Sequence, residues 1–244
     1  PYKGDEWTAY QRLRKATASP YSVFWRWPKQ ALLSMSPERF LKISPQASTN
    51  TLLVETKPIK GTMPRGKSAM EDQNNEDILR NSQKDRAENV MIVDLLRNDI
   101  SKNCTPGTVK TPLLFALESF PNVHHLVSTV TGELASESSP LRLLRDCFPG
   151  GSITGAPKKR AMEIIEELEP LRRSVYCGSI GYLSANNHMD MNIAIRTMVA
   201  SKAIMHCWGG GGIVADSVAD NEFTESLDKI RLLLNTLENS SKPT

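Results

Sequence analysis

Lys60 is the side chain with the clearest nucleophilic potential in this sequence. It lies in Pro58-Ile59-Lys60-Gly61-Thr62, between a β-branched residue and a glycine, so the chain bends just after the amine. A lysine amine becomes a nucleophile when burial or neighbouring cations lower its pKa. Taken singly, Pro-x-Lys-Gly is more often a solvated turn. Carboxylates recur elsewhere. Ser36-Pro37-Glu38-Arg39-Phe40 delivers Glu38 at the end of an apolar run, where an isolated acid reads as a surface turn residue. Asp85 and Glu88 are three apart and share a helix face, as do Glu222 and Glu225, with Lys229 beside them. Acids on helices are ordinarily solvated. Paired across a cleft, one carboxylate from each helix could hold Mg²⁺, which takes a few carboxylates plus substrate oxygens and waters.

Two glycine-rich stretches could receive an anion. Phe148-Pro149-Gly150-Gly151-Ser152-Ile153-Thr154-Gly155-Ala156-Pro157-Lys158 leads into a helix. Its glycines let N–H groups approach a ligand, and a helix N-terminus favours negative charge. The G-x-x-x-x-G-K-[ST] spacing is absent, so a small anion fits this loop better than a nucleoside triphosphate. A well-capped structural helix explains the same residues. Gly209 to Gly212 form a run of glycines that permits main chain to pass close to another surface. His124 and His125 head a strand, and neither has a metal ligand at usable spacing, so zinc is not indicated.

The elements that must position these groups follow from hydrophobic periodicity. The pattern predicts a helix over 5–16, strands over 21–27, 31–35 and 52–55, a loop over 61–66 and a polar, mobile segment over 68–75. A long helix is expected over 76–98, with its C-terminal half buried. An extended segment covers 109–120, a strand 124–130, and helices 141–147 and 157–169. Strands over 176–183, 191–199 and 204–207 precede a final helix over 219–238, whose apolar stripe is Phe223, Leu227, Ile230, Leu234 and Leu237. Asn239 to Thr244 read as a disordered polar tail.

Composition sets outer limits. The 244 residues are 39% hydrophobic and 23% charged, ordinary for a soluble globular chain with a sizeable core. A net charge of +3 without a basic, aromatic-interleaved stripe gives no sign of nucleic acid as a partner. No apolar run approaches the ~18 residues that span a bilayer. Cys104, Cys147, Cys177 and Cys207 are far apart, which fits reduced thiols and a cytoplasmic location. A start at Pro1, with no signal peptide, is expected of a fragment or processed chain.

Taken together, Ser36-Pro37-Glu38, PIKGT at 58–62, DRAENVMIVDLLRND at 85–99, HHLVSTV at 124–130, FPGGSITGAPK at 148–158, CGSIGY at 177–182, Arg196 in IRT, and GGGIVADS at 210–217 carry a resemblance. From Leu32 to Leu237 the chain resembles the chorismate-utilising enzymes, the family of anthranilate synthase component I. The resemblance implies an α+β fold of two packed mixed or antiparallel sheets with helices outside, the first sheet being incomplete. One chorismate-binding catalytic domain over 1–244, the C-terminal part of a longer chain, is then expected.

The resemblance also assigns roles. Glu88 and Glu225 match Mg²⁺ ligands, with Asp85 and Glu222 as nearby acids. His125, Thr62, Thr154, Tyr176, Arg196, Lys229 and the main chain at Gly210 and Gly212 match substrate-binding positions. At Lys60 the anthranilate-forming members carry alanine, whereas members forming 4-amino-4-deoxychorismate for folate synthesis commonly carry lysine. Lys60 matches the group that attacks C2 of chorismate, and Glu38 the acid that protonates the departing C4 hydroxyl. Ammonia would come from a separate glutamine amidotransferase subunit. Two departures stand out: an upstream region of relatives, with a strand bearing a polar catalytic-site side chain, precedes Pro1, and 45–51 reads as a loop insertion. Anthranilate or isochorismate formation on the same fold, and a truncated domain that binds chorismate or a partner without turnover, remain as alternatives.

Overall fold

Among the described residues, every strand pairs antiparallel, and the strands fall into two sheets of four and seven strands. The computed structural model describes residues 1–215 and 217–238, so the tail expected at 239–244 lies outside the described residues. In chain order the elements are α1 (Glu6–Thr17), β1 (Tyr21–Trp27), β2 (Gln30–Ser36), β3 (Arg39–Pro45), β4 (Leu52–Thr56), β5 (Ile59–Pro64), α2 (Ala69–Asn81) and α3 (Gln83–Ser101). Then come β6 (Lys110–Ser119), β7 (Val123–Glu133), α4 (Pro140–Cys147), α5 (Lys158–Leu168), β8 (Gly181–Leu183), β9 (Met189–Asn192), β10 (Thr197–Ser201), β11 (Ile204–Cys207) and α6 (Ala219–Glu238). The α+β class expected from the sequence holds. Contacts divide the chain into a first unit, Pro1–Pro37 with Arg173–Ile180 and Ile193–Thr244, and a second, Glu38–Arg172 with Gly181–Asn192.

The first unit carries the sheet β1-β2-β10-β11. Asp5 caps α1 by accepting from Thr8 N at 2.9 Å, and Ala18, at φ 50, closes it with its N–H on Arg14 O. Tyr10 and Leu13 of α1 pack with Ala31, Leu33 and Met35 of β2, Met198 and Ala200 of β10, and Leu233 of α6. Burying these side chains removes apolar surface from water and supplies most of the unit's stability. β2 lies between β1 and β10, and its buried hydroxyls are satisfied: Ser34 Oγ meets Thr197 Oγ1 at 2.8 Å and Ser36 Oγ donates to Ile193 O at 2.6 Å. On α6 the buried positions include Glu222 and Leu233, while Phe223 and Leu227 of the expected stripe are exposed.

The second unit is built on β7. This strand pairs with β5 over Val123–Val127, with β4 over Val130–Glu133, and with β6 along most of its length. The sheet continues through β4 to β3, β9 and β8. Arg39 ties β3 to its neighbours, donating to Glu55 at 2.8 Å and to both oxygens of Asp190 at 3.1 and 3.2 Å. α3 buries Ile92, Val93, Leu96 and Ile100, so its C-terminal half is the buried one, as periodicity predicts, while Val90 and Met91 are exposed. The four cysteines are free, and burial pushes the Cys147 thiol up to about 12, which keeps it protonated and inert.

Several local expectations are corrected. Residues 61–66, read as a loop, largely continue β5, and 68–75, read as mobile, opens α2. The single helix over 76–98 is two helices broken at Ser82. The reason is capping: Ser68 accepts from Glu71 N at 3.2 Å and Ser82 from Asp85 N at 3.3 Å, each with acids in the following turn. β3, absent from the predicted pattern, fills 39–45. The strand over 191–199 is interrupted: Arg196 takes φ 49, so β9 and β10 are separate strands in separate units. Of 176–183 only Gly181–Leu183 is strand.

Because Ser82 starts the helix that carries Asp85 and Glu88, Ser82→Ala is expected to lower unfolding free energy by about 0.5–2 kcal/mol. Urea denaturation followed by circular dichroism measures it.

Candidate active site

In the second unit, Lys60 sits on a β-bulge. Ile59 pairs with Val127 and Thr62 with His125, so three steps along β5 match two along β7 and one extra residue falls at Lys60–Gly61. Gly61 has φ 84, a left-handed conformation that a bulge demands and glycine adopts without cost. It is also wedged: a Cβ there would lie 2.7 Å from Leu79 Cδ1 and 2.9 Å from Asp85 Cγ. The bulge re-aims Lys60 towards α3, where its Nζ lies 3.5 Å from Glu88 Oε2. The Lys60 side chain is 19% exposed and that of Glu88 16%, so this is not the solvated turn that the pentapeptide suggests in isolation. Lys84 Nζ reaches the other oxygen of Glu88 at 4.0 Å from a mostly exposed position.

The surrounding groups are fixed by hydrogen bonds. Thr62 Oγ1 and His125 Nδ1 are 2.9 Å apart, and the buried His125 ring meets Phe120 edge-on. Ser128 Oγ donates to the buried Asn89 Oδ1 at 2.6 Å, and Ser128 N donates to Pro58 O at 3.2 Å. The helix bearing Asp85 and Glu88 is thereby tied, through one serine of β7, to the residue two before Lys60. Glu38 lies on the link from β2 to β3 and is 7% exposed, which overturns its reading as a surface turn acid. Thr154 Oγ1 donates to Gly150 O at 3.0 Å, closing the glycine-rich loop on itself. Lys158 at that loop's end is committed to the buried Asp99 at 2.5 Å and to Cys147 O at 2.8 Å.

His124 points to a different cluster, which sequence spacing does not reveal. Its Nε2 is 2.9 Å from Asp72 Oδ1, its Nδ1 is 2.8 Å from Ser119 Oγ, and Glu76 Oε1 is 3.7 Å away. Asp72, Glu76 and His124 lie close enough to hold a metal. The Asp72 oxygens, however, already accept from Arg65 and from Gly66 N at 2.6 Å, and the Arg65 guanidinium, with Gly66 N–H and His124, holds that carboxyl well below the usual range. The trio clamps α2 to β7. The i,i+4 acids Asp72 and Glu76 were the available signal, hidden by reading 68–75 as a polar, mobile segment.

In the first unit the glycine run passes over the start of α6. A Cβ on Gly209 would lie 2.6 Å from Ser226 O, and one on Gly210 2.9 Å from the Tyr176 hydroxyl. One on Gly211 would lie 3.1 Å from Glu222 Oε2, 3.8 Å from Lys229 Nζ and 3.9 Å from Glu225 Oε1. The run is therefore explained by close approach, and Gly211, not singled out by sequence reasoning, faces the carboxylates; Gly212 follows it. Lys229 Nζ is 2.6 Å from Glu225 Oε1, and Ser217 Oγ donates to Glu222 Oε1 at 2.6 Å. The Tyr176 ring stacks on Trp208 at 6.3 Å. Arg196 sits before β10 with φ 49, sparsely populated for a residue with a side chain, and its carbonyl accepts from Met35 N at 3.0 Å. The second unit thus brings together Lys60, Glu88, Asp85, Thr62 and His125, and the first Tyr176, Gly210, Glu222, Glu225 and Lys229.

The chorismate binding enzyme family matches residues 1–235. Aminodeoxychorismate synthase component 1 of Salmonella typhimurium is 52% identical over 238 residues, 98% of this chain and 51% of that protein. Its Escherichia coli counterpart is 52% identical over 237 residues, 97% of this chain and 51% of that protein. The crystal structure of anthranilate synthase component I from Streptococcus pneumoniae matches with a TM-score of 0.82 at 35% identity, over 95% of this chain and 50% of that one. The menaquinone-specific isochorismate synthase of Escherichia coli shares the fold, with a TM-score of 0.78 at 22% identity over 93% of this chain and 51% of that one. The chain spans about half the length of the curated relatives it matches.

Gly61→Ala is expected to destabilise the protein by about 1–3 kcal/mol, from the left-handed φ and the forced retreat of Leu79 and Asp85. Urea unfolding reads the loss; an unchanged midpoint would mean that the bulge is not as tight as described.

Proposed function

The chain belongs to the chorismate binding enzymes, and from that premise we propose that it is the catalytic part of an aminodeoxychorismate synthase. It would convert chorismate and ammonia to 4-amino-4-deoxychorismate, the precursor of p-aminobenzoate in folate synthesis. The observation that carries this reading is Lys60, a largely buried lysine aimed by a bulge at a carboxylate-bearing helix. The 52% identity to aminodeoxychorismate synthase component 1 supports it.

In this mechanism the neutral Lys60 amine attacks C2 of chorismate, both conjugated ring double bonds shift, and the C4 hydroxyl departs as water with the proton of Glu38, leaving the lysine nitrogen as a secondary ammonium. Ammonia then adds at C4, the two double bonds return and expel the lysine as a neutral amine, and the proton that ammonia sheds restores Glu38. Dividing one hard displacement into two easier ones is the advantage of covalent catalysis. Glu38, 7% exposed on the link from β2 to β3, takes the role of general acid in this mechanism. Arg196, Tyr176, Lys229 and the main-chain N–H groups at Gly210 and Gly212 suit the two substrate carboxylates. Thr62, His125 and Thr154 complete the substrate contacts, with the Thr62–His125 hydrogen bond holding the imidazole orientation.

The ligands we propose for Mg²⁺ are Glu88 and Glu225, with Asp85 and Glu222 nearby. The donors are all carboxylate oxygens, which suit a hard divalent cation, and the missing side chain at Gly211 leaves space over Glu222 and Glu225. Bound there, Mg²⁺ would neutralise a substrate carboxylate and withdraw charge from the ring. Ammonia would be delivered by a glutamine amidotransferase subunit, as the name "component 1" of the relatives suggests. No helix among the described residues is long and apolar enough to cross a membrane, and the free cysteines support placing the enzyme in the cytoplasm.

In the full-length protein supplied with chorismate and ammonia, Lys60→Ala should reduce aminodeoxychorismate formation by about a hundredfold or more. Product is measured by chromatography; unimpaired formation would falsify the nucleophilic role.

A further inference from the structure

Both glutamates proposed as metal ligands already have an ammonium group from their own unit. Lys60 Nζ lies 3.5 Å from Glu88 Oε2, and Lys229 Nζ 2.6 Å from Glu225 Oε1. The Glu88 pair is the more enclosed, with side chains 19% and 16% exposed, against 35% and 46% for Lys229 and Glu225. A carboxylate withdrawn from water is costly to leave uncompensated, so the enclosed Glu88 is the one that depends on a cation of the protein itself. We propose that Lys60 is the competitor of the metal at Glu88: it occupies the carboxylate when Mg²⁺ is absent, and Mg²⁺ entry displaces it.

The proposal rests on the reading of Glu88 as a Mg²⁺ ligand and adds a regulatory consequence. A single carboxylate oxygen at 3.5 Å from an ammonium does not give its full field to a second cation, because the two cations repel each other while sharing it. Displacing Lys60 frees the nucleophile from its ion pair at the moment the metal arrives. Nucleophile release and metal loading become one event, and an enzyme without metal keeps its lysine engaged. The bulge makes this possible, because the glycine wedged between Leu79 and Asp85 fixes the main chain while the long lysine side chain remains able to swing. Lys84, 4.0 Å from the other Glu88 oxygen and 58% exposed, is a much weaker competitor, since solvent screens it.

The test measures Mg²⁺ binding to the full-length protein without chorismate, by calorimetry and by the shift in thermal midpoint with MgCl₂. Lys60→Met, which keeps the stem and removes the charge, should bind Mg²⁺ about five- to tenfold more tightly than wild type and show a larger stabilisation by the metal. Without Mg²⁺ the variant should melt lower, because Glu88 loses its counter-ion. Lys60→Arg, a second variant that retains the charge, should bind Mg²⁺ within about twofold of wild type. Lys84→Met should change affinity by less than about twofold.

Equal or weaker Mg²⁺ binding by Lys60→Met overturns the proposal, as does the absence of binding in wild type and variant alike. Glu88→Gln separates the two levels. If it abolishes Mg²⁺ binding while Lys60→Met leaves affinity unchanged, Glu88 is a ligand and the competition is wrong. If it leaves Mg²⁺ binding intact, the metal reading of Glu88 fails as well.

Discussion

The constraint on which the second unit's chemistry depends is the extra residue in β5. Antiparallel pairing gives each strand residue a fixed side, and a one-residue slip would turn Lys60 to the other face. Placing the insertion at Lys60–Gly61 restores pairing at Thr62 and leaves the lysine aimed at α3. Only glycine can accept both the left-handed φ of 84° and the contact with Leu79 and Asp85. The same contact places the start of α3 against the strand. The Ser82 cap, Asn89 and Ser128 secure that helix from its end and its flank. The bulged main chain and the carboxylate-bearing helix are held together as one arrangement, from which the lysine side chain projects.

The first unit achieves positioning by omission. Where the second uses one wedged glycine, the first uses a run of them laid against α6, with the missing Cβ positions close to Tyr176, Glu222, Glu225 and Lys229. A side chain at any of Gly209, Gly210 or Gly211 would have to displace main chain, a tyrosine hydroxyl or a carboxylate. The strained φ of Arg196 belongs with this economy: the residue interrupts what would otherwise be one strand from 189 to 201. Backbone in sparsely populated conformations persists where the surroundings hold it, and such positions cluster at functional sites.

Much of this was legible in the sequence, and the failures have physical causes. Chemically loaded residues announced themselves through local pattern: Lys60 through Gly61, the α6 acids through their i, i+3 spacing. The structure adds Glu38 to the buried groups, which no local pattern around Ser36-Pro37 could show, because burial is decided by distant parts of the chain. Secondary structure failed where polar residues form helix. Residues 68–75 contain few apolar side chains, so periodicity was silent there, and only the caps at Ser68 and Ser82 marked where the two helices begin. The α6 stripe was displaced for the opposite reason: Glu222 takes a buried place that hydrophobicity alone would give to Phe223. His124 and His125 look equivalent in sequence, but alternate strand residues face opposite ways, so one is clamped to α2 and the other bonds Thr62.

The central claim, that Lys60 forms a bond to the substrate, is tested most directly by intact-mass and peptide-mapping spectrometry of the full-length protein incubated with chorismate and Mg²⁺ in the absence of ammonia and glutamine. The account predicts an adduct equal to chorismate less one water, mapped to Lys60 and discharged on adding ammonia. A protein that turns over normally with ammonia yet never carries this adduct, or carries it at another residue, would contradict it.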